Sequence, residues 1–178
     1  FPVMGNLNDA DISGFGVMKG ARVENLIDSM ARLKGCQDFK SLKIPFRCVA
    51  ADFRTATEVI LSEGKLSKGV RASMAIPVIF KPVNHDGYKL VDGGMLNNLP
   101  VDVAQDMGAD IIIAVDLQQD EQKPKQSDFD FGMLSGVADM LGFGGLLNWV
   151  ANRPDFTKYA ENVKRATIYI HPPLPDMD

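Results

Sequence analysis

The chain has 178 residues, of which 46% are hydrophobic and 24% are charged, and its formal net charge is −4. This composition predicts one globular domain over residues 1–178, and no apolar run is long enough to span a bilayer. The acidic balance, without a cluster of Lys and Arg, disfavours a nucleic-acid surface. Two histidines and two cysteines without Cys-x-x-Cys spacing disfavour a structural zinc site.

The two cysteines bear on the cellular compartment of the protein, and the first residues bear on where its domain begins. Cys36 and Cys48 could pair in an oxidising compartment, but Cys48 lies in an apolar run, which favours reduced, buried thiols. The chain begins Phe-Pro-Val-Met, without a leader, and we interpret it as the middle of a longer protein. The compartment stays open among the cytoplasm, a peripheral membrane position and the cell envelope.

In chain order, residues 1–20 predict a loop that leads into a helix. The helix ends at Gly35 and presents an apolar face at helical spacing, formed by Val23, Leu26, Ile27, Met30 and Ala31.

A nearly continuous apolar run over residues 44–53 predicts a buried strand, and residues 58–61 predict its neighbour. Residues 66–74 predict a helix that ends before Pro77, because a proline disfavours helical geometry in the residue before it.

Residues 84–117 are the most informative stretch. Asp86-Gly87 predicts a hairpin turn, and residues 88–91 predict a short strand after it. Asn97-Asn98-Leu99-Pro100 predicts a helix start, with an Asn side chain as the cap and Pro100 in the first turn. Residues 111–115 are wholly apolar and predict a strand covered on both faces. Together these elements predict a strand–helix–strand unit in a parallel sheet with helices on its faces.

The remainder of the chain divides into three parts. Residues 118–130 are polar and predict an exposed loop. Residues 131–151 are apolar but interrupted by glycines, which favours packed helices over a mobile flap or a lipid-contacting surface. Residues 166–170 predict a final strand, and the end of the chain soon after it suggests truncation there too.

A serine nucleophile is not evident. The strained turn that exposes such a serine is typically marked by Gly-x-Ser-x-Gly, which none of the serines satisfies. His85 lies beside a hairpin turn and His171 lies near the chain end, so each is interpreted as a surface residue. The serines considered are Ser13, Ser29, Ser41, Ser62, Ser67, Ser73, Ser127 and Ser135.

Asp92 is the candidate that remains. It ends a predicted strand and precedes Gly93 and Gly94, at the kind of strand end where open α/β sheets bind ligands. A carboxylate there could accept a proton from a hydroxyl nucleophile without a histidine. Turn chemistry alone explains Asp-Gly-Gly equally well, so the motif leaves both interpretations open.

Three ordered blocks extend this motif. They are residues 90–104 (LVDGGMLNNLPVDVA) with residues 107–116, residues 70–77 (VRASMAIP), and residues 44–52. With these blocks the sequence resembles the C-terminal half of bacterial patatin-like phospholipases over about residues 14–118.

The resemblance implies a three-layer α/β/α fold with a mainly parallel sheet, incomplete at the N-terminus, that hydrolyses lipid acyl esters with a Ser-Asp dyad. It implies that Asp92 is the dyad partner, and that the Gly-rich oxyanion loop and Gly-x-Ser-x-Gly lie before the matched region. Both are absent from this chain, so the chain alone is expected to be inactive. Residues 118–130 and 131–178 are then a polar loop and a Gly-rich segment with a final strand.

Other residues in the matched blocks are expected to support the pocket or its turns. They are Gly93, Gly94, Asn97, Asn98, Arg71 and Ser73. Asp52 and Asp116 also follow apolar strands, and neither is assigned a role. No metal or organic cofactor is implied.

The leading hypothesis is therefore a serine-type lipid acyl hydrolase whose nucleophile is missing from this chain. The alternative is a non-catalytic α/β module that binds a lipid or a protein, and an unrelated nucleotide-binding domain is disfavoured by the lack of a phosphate loop. Expected partners are a lipid or acyl ester substrate and a peripheral membrane surface. Exposed sheet edges are expected to make the isolated chain self-associate.

Overall fold

A computed structural model describes residues 18–77, 79–117 and 156–172. The chain divides between Asn97 and Asn98 into two compact units, each described by itself below. This division leaves a single domain over residues 1–178 as a prediction. The segments predicted as a loop at 118–130 and as Gly-rich helices at 131–151 lie outside the described residues.

The first unit combines helices with a four-stranded sheet. Its helices are α1 (Ala21–Leu33) and α2 (Leu66–Ser73), and its strands are β1 (Cys48–Asp52), β2 (Thr57–Leu61), β3 (Val83–His85) and β4 (Tyr88–Asp92). Helix α1 ends where predicted, followed by Gly35, and α2 stops before Pro77. The α/β class is thereby confirmed.

The sheet of the first unit is antiparallel, with strand order β2-β1-β4-β3. This arrangement differs from the mainly parallel sheet that was expected. The reason lies in the connections, because a four-residue turn joins β1 to β2 and a two-residue turn joins β3 to β4. Such short turns can join only antiparallel neighbours.

The predicted hairpin is confirmed at Asp86 and Gly87, whose φ angles are 47° and 82°. A positive φ at both central residues is the geometry of the two-residue turns whose twist matches that of the flanking strands. The turn fixes the register of β3 on β4, with Val83 opposite Leu90. Strand β4 continues two residues beyond this pair, to Asp92.

The core of the first unit lies between α2 and the sheet. All five residues of β1 are buried, and α2 packs against β1 and β4. Because the side chains of a strand alternate between faces, complete burial means that β1 is covered on both. The core cluster comprises Phe39, Cys48, Ala50, Leu61, Ala72 and Leu90.

The second unit contains α3 (Val101–Asp106), β5 (Ile113–Val115), α4 (Phe156–Arg165) and β6 (Ile168–Ile170). Strands β5 and β6 pair in parallel, and α3 packs on α4. The predicted strand–helix–strand unit is not realised as one sheet, because β4 belongs to the four-stranded sheet and β5 to the two-stranded one.

Strand β5 is covered on one face only. Ala114 is buried, whereas Ile113 and Val115 are 60% and 54% exposed. The expectation that both faces are covered is therefore wrong for the described residues. On the buried side, Ala114 joins a small core with Leu99, Val101 and Ile112.

Candidate functional site

Asp92 lies at the carboxyl end of β4, opposite Ala50 of β1. Its backbone N–H donates to the Ala75 carbonyl at 3.0 Å, and its Oδ1 accepts a hydrogen bond from the Gly94 N–H at 2.8 Å. These two bonds fix the backbone and one carboxylate oxygen. Within the described part of the chain, Oδ2 has no hydrogen-bond partner, so it can receive a donor.

Burial changes the acidity of this carboxyl. Desolvation raises the pKa of Asp92 above its usual value, and the hydrogen bond from the Gly94 N–H offsets only part of that effect. A carboxylate with a raised pKa is a stronger base than an exposed one. It is therefore better suited to accept a proton from a hydroxyl group.

Gly93 allows the chain to turn sharply after Asp92. A Cβ at this position would lie 2.2 Å from the Val49 carbonyl oxygen of β1, which is backbone and cannot move aside. Only glycine permits this close approach, as expected from the Asp-Gly-Gly motif.

Ser73 supports the same corner of the site. Its hydroxyl, at the end of α2, donates to the Val49 carbonyl oxygen at 2.7 Å. That carbonyl is the group against which Gly93 packs. Ser73 thus holds the β1 backbone beneath the turn.

Arg71 is only 1% exposed, and it joins two separate segments. Its guanidinium donates to the carbonyl of Lys19 at 3.0 and 2.6 Å and to the carbonyl of Lys81 at 2.9 Å. It also stacks over the Phe80 ring, 4.9 Å from the ring centroid. These contacts tie α2 to the backbone at Lys19 and Lys81.

Neither Asn97 nor Asn98 caps α3, although the sequence predicted that one of them would. Asn97 is buried and donates from its amide to Glu58 Oε1 at 2.9 Å, while Asn98 is exposed. No side chain of the preceding segment caps α3. Asn162 of α4 does so instead, since its Oδ1 accepts from the Asp102 N–H at 3.2 Å.

Asp52 has a structural environment despite its place at a strand end. Its Oδ2 accepts from the Thr55 hydroxyl at 2.7 Å, and its Oδ1 accepts from the Lys89 N–H at 3.0 Å. Burial by itself would raise the pKa of Asp52, but these bonds and Arg54 lower it below the usual value. Asp52 therefore stabilises the β1–β2 turn as a carboxylate.

Asp116 follows β5 in the second unit and is 2% exposed. Its Oδ2 accepts hydrogen bonds from the hydroxyls of Tyr159 and Tyr169, and His171 Nδ1 lies 3.9 Å away. Burial and the neighbouring Asp116 raise the pKa of Tyr159. This cluster connects α4 to the ends of both strands.

Each histidine lies beside a carboxylate other than Asp92. His85 lies in the β3–β4 hairpin, 3.4 Å from Asp86, and His171 lies beside Asp116 in the second unit. Over the described ranges, no serine hydroxyl contacts Asp92, and no cluster of three His, Cys, Asp or Glu side chains could hold a metal ion.

Comparison with known proteins identifies the family. The model of the family described as "Patatin-like phospholipase" matches residues 5–105, which include Asp92 and more than half of the chain. The chain belongs to the patatin-like phospholipase family. The resemblance found in the sequence is thereby confirmed, and the patatin-like phospholipases are lipid hydrolases.

Individual relatives agree with this assignment. An NTE family protein of Mycobacterium tuberculosis is 36% identical over 118 residues, which are 66% of this chain and 32% of that protein. A second NTE family protein of the same organism is 37% identical over 116 residues, 64% of this chain and 19% of its own length. Patatin-like phospholipase domain-containing protein 7 of Mus musculus is 36% identical over 83 residues, 46% of this chain and 6% of that protein. The chain thus spans about a third or less of these relatives.

Proposed function

We propose that this chain supplies the aspartate of a Ser-Asp dyad in a lipid acyl ester hydrolase, a phospholipase or esterase whose serine lies outside residues 1–178. The proposal rests on the surroundings of the Asp92 carboxylate. One of its oxygens accepts a hydrogen bond from the Gly94 N–H, and the other has no partner in the described part of the chain. Burial raises the pKa of the carboxyl group.

In the proposed reaction, the serine oxygen attacks the ester carbonyl while its proton passes to Asp92 Oδ2. The alcohol then leaves with that proton, and an acyl-serine ester remains. Water attacks this ester and loses a proton to Asp92, which returns the proton to the serine as the fatty acid is released. The step needs no metal or organic cofactor.

Three neighbouring groups support Asp92 in this proposal. Ala75 holds its backbone, Gly93 permits the turn, and Ser73 fixes the β1 carbonyl below that turn. Ser73 itself is an unsuitable nucleophile, because its hydroxyl is committed to the Val49 carbonyl rather than to a carboxylate.

The experiment is active-site labelling of the complete gene product with a fluorophosphonate, followed by peptide mass spectrometry. We expect one labelled serine outside this chain, and slower labelling in Asp92→Asn than in Asp52→Asn. A label on Ser73 would refute the assignment of the nucleophile. Absence of any label, together with binding of lipid vesicles, would favour the alternative of a non-catalytic lipid-binding module.

We further propose that the isolated chain self-associates through its second unit. The parallel β5–β6 pair exposes Ile113, Val115, Ile168 and Ile170, each at least 42% accessible. Parallel sheets are normally covered on both faces, so an open apolar face favours association. A single monomeric species in sedimentation velocity across micromolar concentrations would contradict this proposal.

A further inference from the structure

The segment that leads into β1 exposes an uninterrupted apolar stretch. Ile44, Pro45 and Phe46 are all exposed, and Ile44 is 80% accessible to solvent. Single exposed apolar residues are ordinary on protein surfaces, but three in succession are unfavourable unless they serve a function. The Phe46 ring also stacks on the buried Phe39, with centroids 6.0 Å apart, which fixes where the stretch leaves the core.

Basic residues flank this stretch on both sides. Lys43 precedes it and Arg47 follows it, and neither forms an ion pair with any described residue. Lys40, nearby in the chain, pairs with Glu63. Residues 43–47 thus carry two positive charges that no described residue neutralises, in a chain whose net charge is −4.

The sheet register places this segment at the same end of the sheet as Asp92. Strands β1 and β4 are antiparallel, and Ala50, the central residue of β1, lies opposite Asp92 at the end of β4, so the first residues of β1 extend past that end. Phe46 is four residues before Ala50, so even a fully extended chain separates their Cα atoms by at most about 14 Å.

Resting on the proposed lipid substrate, we propose that residues 43–47 form a membrane-contacting loop that docks on an anionic phospholipid bilayer. Ile44 and Phe46 enter the headgroup region, and Lys43 and Arg47 contact the lipid phosphates. Apolar side chains with flanking cations are the composition by which peripheral surfaces bind anionic bilayers. The bilayer then faces the end of the sheet that carries Asp92.

The charge of residues 43–47 favours an anionic bilayer over a second copy of the chain as their partner. Two copies that meet through residues 43–47 would place Lys43 and Arg47 of one copy against the same two residues of the other. Like charges in contact disfavour such an interface, whereas an anionic bilayer attracts the same residues.

The test is flotation of the complete gene product with phosphatidylcholine vesicles, with and without phosphatidylglycerol. We expect binding that requires phosphatidylglycerol and weakens as salt rises. Ile44→Ser should weaken binding by at least about tenfold, because one exposed isoleucine no longer enters the apolar layer. Lys43→Gln should weaken it by about fivefold.

Two variants are matched controls from the second unit. Ile111→Ser removes an isoleucine that is 70% exposed, and Lys164→Gln removes an exposed lysine at the end of α4. Both should bind vesicles as the original protein does. Circular dichroism of each variant shows whether the fold is kept, and Ile44 is exposed enough that its change should not alter the fold.

Three results would overturn the proposal. The first is equal binding to neutral and anionic vesicles, and the second is a loss of vesicle binding in Ile111→Ser as large as that in Ile44→Ser. The third is binding of a soluble acidic polypeptide in preference to vesicles. The Asp92→Asn variant separates this proposal from the dyad, because it should lose hydrolysis and keep vesicle binding. Hydrolysis that survives Asp92→Asn refutes the dyad alone, and vesicle binding that survives Ile44→Ser refutes the loop alone.

Discussion

Replacing Asp92 with asparagine should stabilise the fold at neutral pH. Burial raises the pKa of Asp92 in the folded protein above the unfolded value. A group shifted in this direction favours the folded state below the unfolded pKa, and that contribution is lost as pH rises through the folded pKa. At pH 7 the ionised carboxylate is therefore a cost to stability, and the neutral amide removes it.

The geometry indicates the size of the effect. The Asn carbonyl oxygen can still accept the bond that Gly94 N–H now donates at 2.8 Å, so only the buried charge is lost. Single stabilising substitutions typically gain about 0.5–2 kcal/mol, and we expect Asp92→Asn to fall in this range. For a chain of this length, 1 kcal/mol corresponds to roughly 2–4 °C in Tm. Asp92→Ala removes the acceptor as well, which costs about 0.5–1.5 kcal/mol, so it should gain less.

The assay is urea unfolding at pH 7 and at pH 3.5, with Asp52→Asn as the matched control. The pKa of Asp52 is lowered, so its contribution to stability is present above the unfolded pKa and is lost as pH falls through the folded pKa. Asp52→Asn should therefore destabilise the protein at pH 7. At pH 3.5 the gain from Asp92→Asn should shrink. A loss of stability in Asp92→Asn at pH 7 would refute the burial argument.

The other predictions concern Gly93, Ser73 and Cys48. Gly93→Ala should cost about 1–3 kcal/mol in urea unfolding, because its Cβ would lie 2.2 Å from the Val49 carbonyl, and a change below 0.5 kcal/mol would contradict that contact. Ser73→Ala should lose about 0.5–1.5 kcal/mol of stability yet keep ester hydrolysis within about tenfold, since it removes one hydrogen bond and no reacting group. Burial raises the pKa of Cys48 to about 12, so at pH 8 it should react with a disulfide reagent only after unfolding, and rapid labelling of the native protein would contradict its burial.

Local signals explain what the sequence predicted correctly. The Asp86-Gly87 turn, the end of α1 near Gly35 and the stop of α2 before Pro77 each depend on the backbone preferences of one or two residues. The close approach at Gly93 belongs to the same class. In each case the residues that determine the backbone conformation lie at the turn or helix end itself.

The direction of the strands and the hydrogen-bond partners of the polar side chains depend on residues far apart in the sequence, so local patterns did not predict them. The apolar run that contains β1 is buried on both faces, as a parallel strand would be, so composition could not show that its neighbours run antiparallel. The partner of Asn97 is Glu58, and the cap of α3 comes from Asn162, 60 residues from Asp102. No local pattern marks either pair. The hydrogen bond from Ser73 ends on a backbone carbonyl, which has no sequence signature.

The most direct test of the dyad is the rate of nitrophenyl ester hydrolysis by the complete gene product and its Asp92→Asn variant. Loss of a general base is expected to lower kcat by about 10²–10⁴-fold. Because the same substitution should stabilise the fold, this loss cannot come from unfolding. A variant that keeps its full rate would contradict the assignment of Asp92 as the catalytic carboxylate.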